Sequence, residues 1–204
     1  MALSRNTYRE SDQAERGIAR TPDGDRKLPP IITRKPLRGD EHPISKSRLE
    51  GYLSGTRTEY IYGLKRIELR ARAKSSIGEP FGSYFIWERI IVLYSLPPVW
   101  ELSRLSKGWE GLLSSYGARV EQGSHVLVSW PSELHLELWF WDQVVMHELG
   151  HHFIEQYRSK NGLVRSLKAH ERLADLHVGR YLNRRYQRWK QGQTKNPAQL
   201  IDST

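Results

Sequence analysis

The chain has 204 residues, with 32 Lys and Arg against 23 Asp and Glu, and so carries a formal net charge of +9. That length fits one domain with a modest core and flexible ends, and the positive charge favours anionic partners such as nucleic acid or a membrane surface without requiring them. No cysteine is present, which excludes a disulfide framework, a cysteine-type zinc finger and any cysteine that could hold a zinc site in a latent state.

Residues 1–45 are predicted to form a disordered or extended arm. They contain five of the ten prolines and a dense mixture of both charges, with Pro29-Pro30-Ile31-Ile32 as the single apolar island. The first residues lack the apolar stretch of a secretory signal, and no apolar run approaches the length of a membrane span. We therefore expect a cytoplasmic protein that has no membrane span. A second hypothesis is that the arm lies across an active-site cleft as an inhibitory segment.

A single folded domain is predicted from residue 46 to residue 190, with structure starting near Ser45–Leu53. Partial alternation of apolar and polar residues favours strands over Tyr60–Tyr62 and Leu64–Ala71. The arginine-rich stretch from Leu64 to Lys74 also suits a helix, so that alternative stays open.

The middle of the chain is predicted to contain helices and one hairpin. Ser83–Leu96 is dense in large apolar residues and is followed by two prolines, which favours a buried helix. Short helices are predicted over Trp100–Leu105 and Trp109–Ser115. Two β-rich runs flank a Gln-Gly pair, so Ala118–Trp130 is predicted to be a hairpin.

The most informative stretch is His147-Glu148-Leu149-Gly150-His151, an H-E-x-x-H pattern. An apolar stripe predicts a helix over Asp142–Tyr157. Asp142 suits its N-cap, but the helix could also begin further upstream, and we favour this second interpretation. Positions i and i+4 share one helix face, so both imidazoles can reach one ion. Glu148 lies beside that face, where a carboxylate can take a proton from a water that the ion activates. The alternative is an ordinary polar helix face.

A second helix, starting near Ser166, offers the third ligand that a catalytic zinc site needs. Glu171 and Asp175 are four residues apart, so Glu171 can bind the metal while Asp175 accepts the spare N–H of a metal-bound histidine. The alternative is that both are solvated helix charges. In the first helix, Gly150 costs about 1 kcal/mol of helix propensity relative to alanine, which predicts a backbone that passes close to another element.

These residues resemble the gluzincin clan of zinc peptidases, in which H-E-x-x-H is followed about twenty residues later by Glu and then, four residues on, by Asp. The spacing is similar to the thermolysin-like pattern, and the short H-E-L-G-H core also resembles the small intracellular zincins of the ImmA/IrrE and SprT types. The resemblance covers residues 125–182. It implies zinc ligands at His147, His151 and Glu171, with Glu148 as general base and acid and Asp175 orienting the first histidine.

The same resemblance implies a fold. We expect a zincin-like α+β domain, in which the active-site helix packs under a small sheet and the C-terminal part is helical. In zincins an edge strand lies above that helix and an extended polypeptide substrate adds to it, a place that Val126–Trp130 or Leu134–Leu138 would fill. The residue before the third ligand, usually Asn in that clan, is His170 here, so the local support of the second helix differs.

Other side chains near the motif have two interpretations. The tryptophans are predicted to be core residues or, alternatively, the wall of a substrate pocket; they are Trp130, Trp139 and Trp141. His177 is a catalytic candidate that could stabilise the oxyanion, with nearby tyrosines as alternatives and packing as the ordinary role. His152 is predicted to point away from the metal.

The last helical stretch, Arg180–Lys190, interleaves basic and aromatic residues that could contact phosphates and stack on bases. Its alternative is an amphipathic helix end whose cations suit the helix dipole. Residues 191–204 are predicted to be a flexible tail. The sequence thus predicts a zinc-dependent endopeptidase acting on polypeptides. The alternatives are a nucleic-acid-associated protein, including a protease of DNA-bound proteins, and a non-catalytic metal-stabilised interaction module.

Overall fold

A computed structural model describes residues 27–72, 80–157 and 167–190, which form a mixed α+β fold and so confirm the coarse fold class predicted above. The strands are β1 (Ile31–Thr33), β2 (Arg66–Arg70), β3 (Gly82–Phe85), β4 (Ile90–Tyr94), β5 (Val99–Leu102), β6 (Arg119–Gln122) and β7 (Val126–Ser129). The helices are α1 (Lys46–Gly55), α2 (Thr58–Ile61), α3 (Lys107–Ser115), α4 (Glu133–Trp139), α5 (Met146–Tyr157) and α6 (Leu167–Lys190), and a π-helical segment, Phe140–Val145, joins α4 to α5. Among these described helices, none combines the length and apolarity needed to cross a membrane.

Four strands form one sheet in the order β1-β2-β4-β3. β1, β2 and β4 run parallel, whereas β3 pairs antiparallel with β4 and forms the edge opposite β1. One face of this sheet joins the hydrophobic core through Ile31, Ile67, Leu69, Ile91 and Leu93. The sheet therefore presents its edge strand β3 beside the helices that pack on this face.

Three strands form a second sheet in the order β5-β7-β6, with both pairs antiparallel. The predicted hairpin is confirmed as β6 and β7, and the helix predicted over Trp109–Ser115 is confirmed within α3. The helix predicted over Trp100–Leu105 is wrong, because Trp100 lies in β5 opposite Val128. The side chains of β5 alternate, with Trp100 buried between exposed Val99 and Glu101, as a half-buried strand requires.

The buried helix predicted over Ser83–Leu96 is also wrong, because this stretch forms the hairpin of β3 and β4. β4 lies inside the sheet, and both of its faces are covered: Ile91 and Val92 point to opposite faces and are 0% and 1% exposed. A strand that is buried on both faces has a continuous apolar sequence, and periodicity cannot distinguish it from a buried helix. Arg89, with a φ of 55°, turns the chain into β4.

The stretch before β2 differs from prediction in part. Tyr60 and Ile61 belong to the short helix α2 rather than to a strand, and both are buried. Gly63, with a φ of 77°, then ends this turn and directs the chain into β2. The strand predicted within Leu64–Ala71 is confirmed as β2, so the helical alternative is wrong over Arg66–Arg70. The last two residues of that alternative, 73 and 74, lie outside the described residues.

Part of the predicted N-terminal arm belongs to the folded unit. β1 pairs with β2, and the buried side chains of Ile31 and Ile44 join the core. Asp40, also buried, accepts hydrogen bonds from the Arg72 guanidinium at 2.7 and 3.2 Å. The interpretation of residues 27–45 as a mobile arm is therefore corrected, because the apolar island at Ile31 adds a strand to the sheet. Residues 1–26 and 191–204 lie outside the described residues. The hypothesis of an inhibitory arm and the prediction of a flexible tail concern these residues and stay predictions.

A continuous helical path runs from α4 through the π-helical segment into α5. The prediction that this helix starts before Asp142 is confirmed, and the alternative of Asp142 as its N-cap is wrong. Asp142 is buried within the π-helical segment, where its carboxylate accepts hydrogen bonds from Arg185 at 2.6 and 2.8 Å and from the Tyr116 hydroxyl at 3.1 Å. This ion pair ties α6 to the π-helical segment that leads into α5, and so helps to fix the two helices that carry the motif residues.

The tryptophans before the motif belong to the core, as predicted. Trp139 and Trp141 are 0% and 1% exposed, and Trp130 packs against that core. The ring of Trp139 lies 5.2 Å from that of Trp100 and 5.6 Å from that of Trp130, measured between centroids. Their alternative role as the wall of a substrate pocket is not supported, because other residues line the cleft described below.

Candidate metal centre

Helices α5 and α6 bring the three predicted ligands together. The Nε2 atoms of His147 and His151 lie 3.0 Å apart, and an oxygen of the Glu171 carboxylate lies 3.3 Å from the first and 3.5 Å from the second. Within the described ranges, these residues are the one set of three His, Cys, Asp or Glu side chains that could hold a metal ion. The i, i+4 spacing on α5 aims both imidazoles at one point, and α6 supplies the carboxylate from the neighbouring helix.

The three ligand atoms have the separations that zinc needs. Zn–N and Zn–O distances of about 2.0–2.1 Å in a tetrahedron place neighbouring ligand atoms about 3.3 Å apart. The observed separations of 3.0, 3.3 and 3.5 Å bracket that value. Two imidazole nitrogens and one carboxylate oxygen are also donors of the type found in catalytic zinc sites. The residues therefore fit the ion that the sequence predicts.

Each ligand histidine has a partner for its second ring nitrogen. The Nδ1 of His147 lies 3.1 Å from a carboxylate oxygen of Asp175. The Nδ1 of His151 lies 2.7 Å from the Nδ1 of His170. Both partners belong to α6, on either side of Glu171 in the sequence. A histidine whose Nδ1–H is held by a neighbour presents the lone pair of Nε2 to a metal.

The charge of each ligand histidine follows from its surroundings. Burial would lower the pKa of His147, but the hydrogen bond to Asp175 and the charges of Glu148, Asp175 and Glu171 outweigh it, so the pKa of His147 is raised. Burial and the nearby charges of His147 and His170 lower the pKa of His151 to about 3. His151 is consequently neutral at pH 7 and able to offer a lone pair.

Glu148 lies beside the ligands in a buried position, with 6% of its surface exposed. Burial, assisted by the charge of Glu171, raises the pKa of Glu148 to about 7, although the charge of His147 and the backbone N–H of Tyr84 act in the opposite direction. A carboxylate with a pKa near the working pH can both accept and return a proton. Gly82 leaves room for this side chain, because a Cβ there would lie 3.0 Å from the Cγ of Glu148.

A cleft of about 820 Å³ opens over the ligands. One wall is β3 with the turn that follows it, and the other is formed by α5 and the start of α6. Its lining contains the glutamates Glu88, Glu148, Glu155 and Glu171. None of the described residues that line it is Lys or Arg, although the chain carries a net charge of +9. The glutamates of the lining supply negative charge that attracts a cation to this cleft.

The strand beside the site is not one of the two predicted from the resemblance. β7 is the middle strand of the second sheet, and Leu134–Leu138 belongs to α4. β3 instead forms an edge of the four-stranded sheet and lines the cleft together with Glu148 and both ligand histidines. The edge strand could not be assigned from the sequence, because the stretch that contains β3 was predicted to be helical.

His177, predicted as a catalytic candidate, is not brought to the cleft. It is 7% exposed, and its ring packs edge-on against Tyr60, with the centroids 4.5 Å apart, and beside Phe153. Burial lowers the pKa of His177 to about 3. We therefore correct its assignment to a packing residue. Its position on α6, six residues after Glu171, turns the ring towards the core side of the helix pair.

His152 points away from the ligands, as predicted. Its Nε2 donates a hydrogen bond to the backbone carbonyl of Tyr62 at 2.9 Å, and its Nδ1 accepts one from the Tyr84 hydroxyl at 3.1 Å. Burial lowers the pKa of His152 to about 4, so the ring is neutral at pH 7 and carries its one proton on the Nε2 that faces the carbonyl. The residue fastens α5 to β3 and to the residue that follows α2, and so helps to position the edge strand beside Glu148.

Gly150 allows the close contact of α5 and α6, as its predicted role requires. A Cβ at Gly150 would lie 3.2 Å from the backbone Cα of Ala174 and 3.3 Å from its carbonyl oxygen. We expect Gly150→Ala to separate the helices and weaken zinc binding roughly 10-fold, as measured by competition with a chromogenic chelator. Gly179 on α6 has open space around it, so Gly179→Ala is the matched control and should leave zinc affinity unchanged. Equal affinities for the two variants would contradict this role of Gly150.

Three residues of the site were not found from the sequence. Gly82 and Tyr84 reach it from β3, far away in the chain, and no local pattern marks them. His170 stands next to Glu171, where its difference from the usual Asn of the clan gives no indication of a contact with His151. Comparisons of the chain with protein-family models, with curated proteins and with solved structures give no match. The site is therefore interpreted from its own geometry.

Proposed function

We propose that this protein is a zinc-dependent peptidase of the gluzincin type, with a zincin-like arrangement of helix and sheet. The observation that carries the proposal is the convergence of His147, His151 and Glu171 at 3.0–3.5 Å beside the buried carboxylate of Glu148. A helix with two ligands, a following helix with the third and an edge strand across the cleft are the parts that the resemblance implies.

Each residue of the site has one task in this mechanism. His147, His151 and Glu171 would hold the zinc ion, which when bound supplies a Lewis acid that polarises water and the scissile carbonyl. Glu148 takes a proton from the attacking water and then delivers it to the leaving amine, so that it ends the cycle in its starting state. Asp175 holds the first ligand histidine in place through its Nδ1–H.

The edge of β3 supports an extended polypeptide as the substrate. The Tyr94 N–H donates to the Phe81 carbonyl at 3.0 Å. By the alternation of an antiparallel ladder, Phe81, Ser83 and Phe85 therefore point their backbone groups towards β4, and Gly82 and Tyr84 point theirs away. Since the Tyr84 N–H reaches the Glu148 carboxylate, that outward edge faces the cleft. A substrate strand that pairs there would pass directly over the catalytic carboxylate and would compete with it for the Tyr84 N–H.

Zinc dependence is the first test of this proposal. We expect purified protein to contain about one zinc ion per chain, because the site has one set of three ligands, and to cleave a library of unstructured fluorogenic peptides. Treatment with 1,10-phenanthroline should abolish cleavage, and added zinc should restore it. Zinc-free protein, or cleavage that survives complete removal of the metal, would rule out the proposal.

Two other functions considered from the sequence receive less support. A module that only uses metal for stability has no need of a buried carboxylate beside its ligands, yet Glu148 occupies that place. For nucleic-acid binding, two arginines of the basic segment have partners inside the protein: Arg185 binds Asp142, and Arg184 donates to the Tyr60 hydroxyl at 2.5 Å. We therefore propose neither as a second function.

A further inference from the structure

His170 makes the shortest contact of any neighbour to the ligand histidines among the described residues. Its Nδ1 lies 2.7 Å from the Nδ1 of His151. The two ring planes are within 12° of parallel, and their centroids are 4.9 Å apart. Face-to-face stacking does not bring two ring nitrogens to 2.7 Å at such a centroid separation. The rings instead meet edge to edge, in the geometry of an N–H···N hydrogen bond.

Such a bond contains a single proton. Two Nδ1–H groups or two bare lone pairs would repel each other at 2.7 Å, so one ring donates and the other accepts. His151 can offer its Nε2 to a cation only when its own proton is on Nδ1. His151 must then be the donor and His170 the acceptor, which places the remaining proton of His170 on its Nε2.

We propose that His170 is a positioning residue that holds His151 in the tautomer and ring orientation needed to bind the metal. The inference rests on the proposed zinc site and extends it. His170 would hold the Nδ1 of His151 as Asp175 holds the Nδ1 of His147, and both of these partners lie on α6. One helix would thereby contribute a ligand and orient both ligands of the other helix.

The environment of His170 supports this role over simple packing. Its Nε2 is buried, with no hydrogen-bond partner among the residues that the structure describes. Leaving a buried N–H unpaired is unfavourable, so a polar ring is expected at this position only if its other nitrogen has a partner. The other ring nitrogen, Nδ1, does have a partner, because it lies within hydrogen-bond distance of His151.

A matched pair of variants separates hydrogen bonding from packing. Relative to Cβ, Oδ1 of asparagine occupies nearly the place of Nδ1 of histidine, and Cδ1 of leucine fills the same place without an acceptor. We expect His170→Leu to lower zinc affinity roughly 10- to 100-fold and His170→Asn to stay within about threefold of the unchanged protein. Affinity is measured by competition with a chelator, and thermal melting of each zinc-free variant measures its folding.

A second measurement needs no variant. Long-range ¹H–¹⁵N NMR of the zinc-loaded, unsubstituted protein reports the tautomer of His151, and we expect a proton on Nδ1 with the metal on Nε2. A metal bound at Nδ1, or equal zinc affinities for the Asn and Leu variants and the unchanged protein, would overturn the role of His170 while leaving the zinc site standing. If the unchanged protein binds no zinc, the proposed function itself fails.

Discussion

Glu148→Gln is expected to reduce peptide hydrolysis roughly 10²- to 10⁴-fold, the contribution of a positioned general base and acid. Glutamine keeps the size of the side chain and cannot accept the proton of the attacking water. Zinc should remain bound at one ion per chain, because the ligands are His147, His151 and Glu171. Initial rates with saturating fluorogenic peptide, together with metal analysis of the same sample, provide the measurement.

Glu155→Gln is the matched control for this change. Glu155 lies on α5 two turns after Glu148, lines the same cleft and undergoes the same Glu-to-Gln change. It has no assigned task in the mechanism, so its variant should hydrolyse peptide within a few-fold of the unchanged protein. Equal losses in both variants would show that the charge of the cleft matters rather than a base at Glu148. Undiminished hydrolysis by Glu148→Gln would remove Glu148 from the mechanism.

The motif helices could be predicted because their evidence is local. Helical periodicity, the i, i+4 histidines and the carboxylates on the following helix are all short-range patterns that survive in any fold. The structure accordingly brings His147, His151 and Glu171 together and sets Asp175 against the first histidine. The close approach of another element at Gly150 was also predictable, because glycine lowers helix propensity and a close backbone contact gives a reason for it.

The sheet could not be predicted to the same degree. Its central strand β4 is apolar on both faces, so the alternation that marks a half-buried strand is absent. The same ambiguity conceals β3, because the apolar run of the hairpin predicts one helix. β1 was missed for a different reason, since a three-residue strand within a polar, proline-containing segment gains its stability from pairing with β2 rather than from its own sequence.

The site residues that β3 contributes could not be predicted either, because their place depends on the sheet. Tyr84 and Gly82 contact Glu148 only because β3 returns along β4 to the face of α5. Such contacts arise between residues more than sixty positions apart in the chain, and only the folded structure joins them. His177 illustrates the reverse error: its place on the same helix as Glu171 made it a candidate, although the direction of its side chain buries it against Tyr60.

Glu171→Ala is expected to have the largest effect on metal binding. It removes one of the three ligands, and two neutral imidazoles alone would leave two coordination positions to water. We expect the loss of zinc affinity to exceed the roughly 10- to 100-fold that outer partners contribute, so that the variant loses its metal during dialysis. Elemental analysis and chelator competition measure both quantities.

Asp175→Asn is the graded comparison for that variant. Asp175 is 3.1 Å from the Nδ1 of His147 and makes no contact with the ion's expected position. Because asparagine retains an oxygen acceptor, its variant should keep zinc and weaken binding by no more than the outer-partner range of roughly 10- to 100-fold. If the zinc affinity of Glu171→Ala is well below that of Asp175→Asn, Glu171 is a ligand and Asp175 is its neighbour on the same helix face. Full zinc occupancy in Glu171→Ala would contradict a three-ligand site, and with it the mechanism that depends on an ion held beside Glu148.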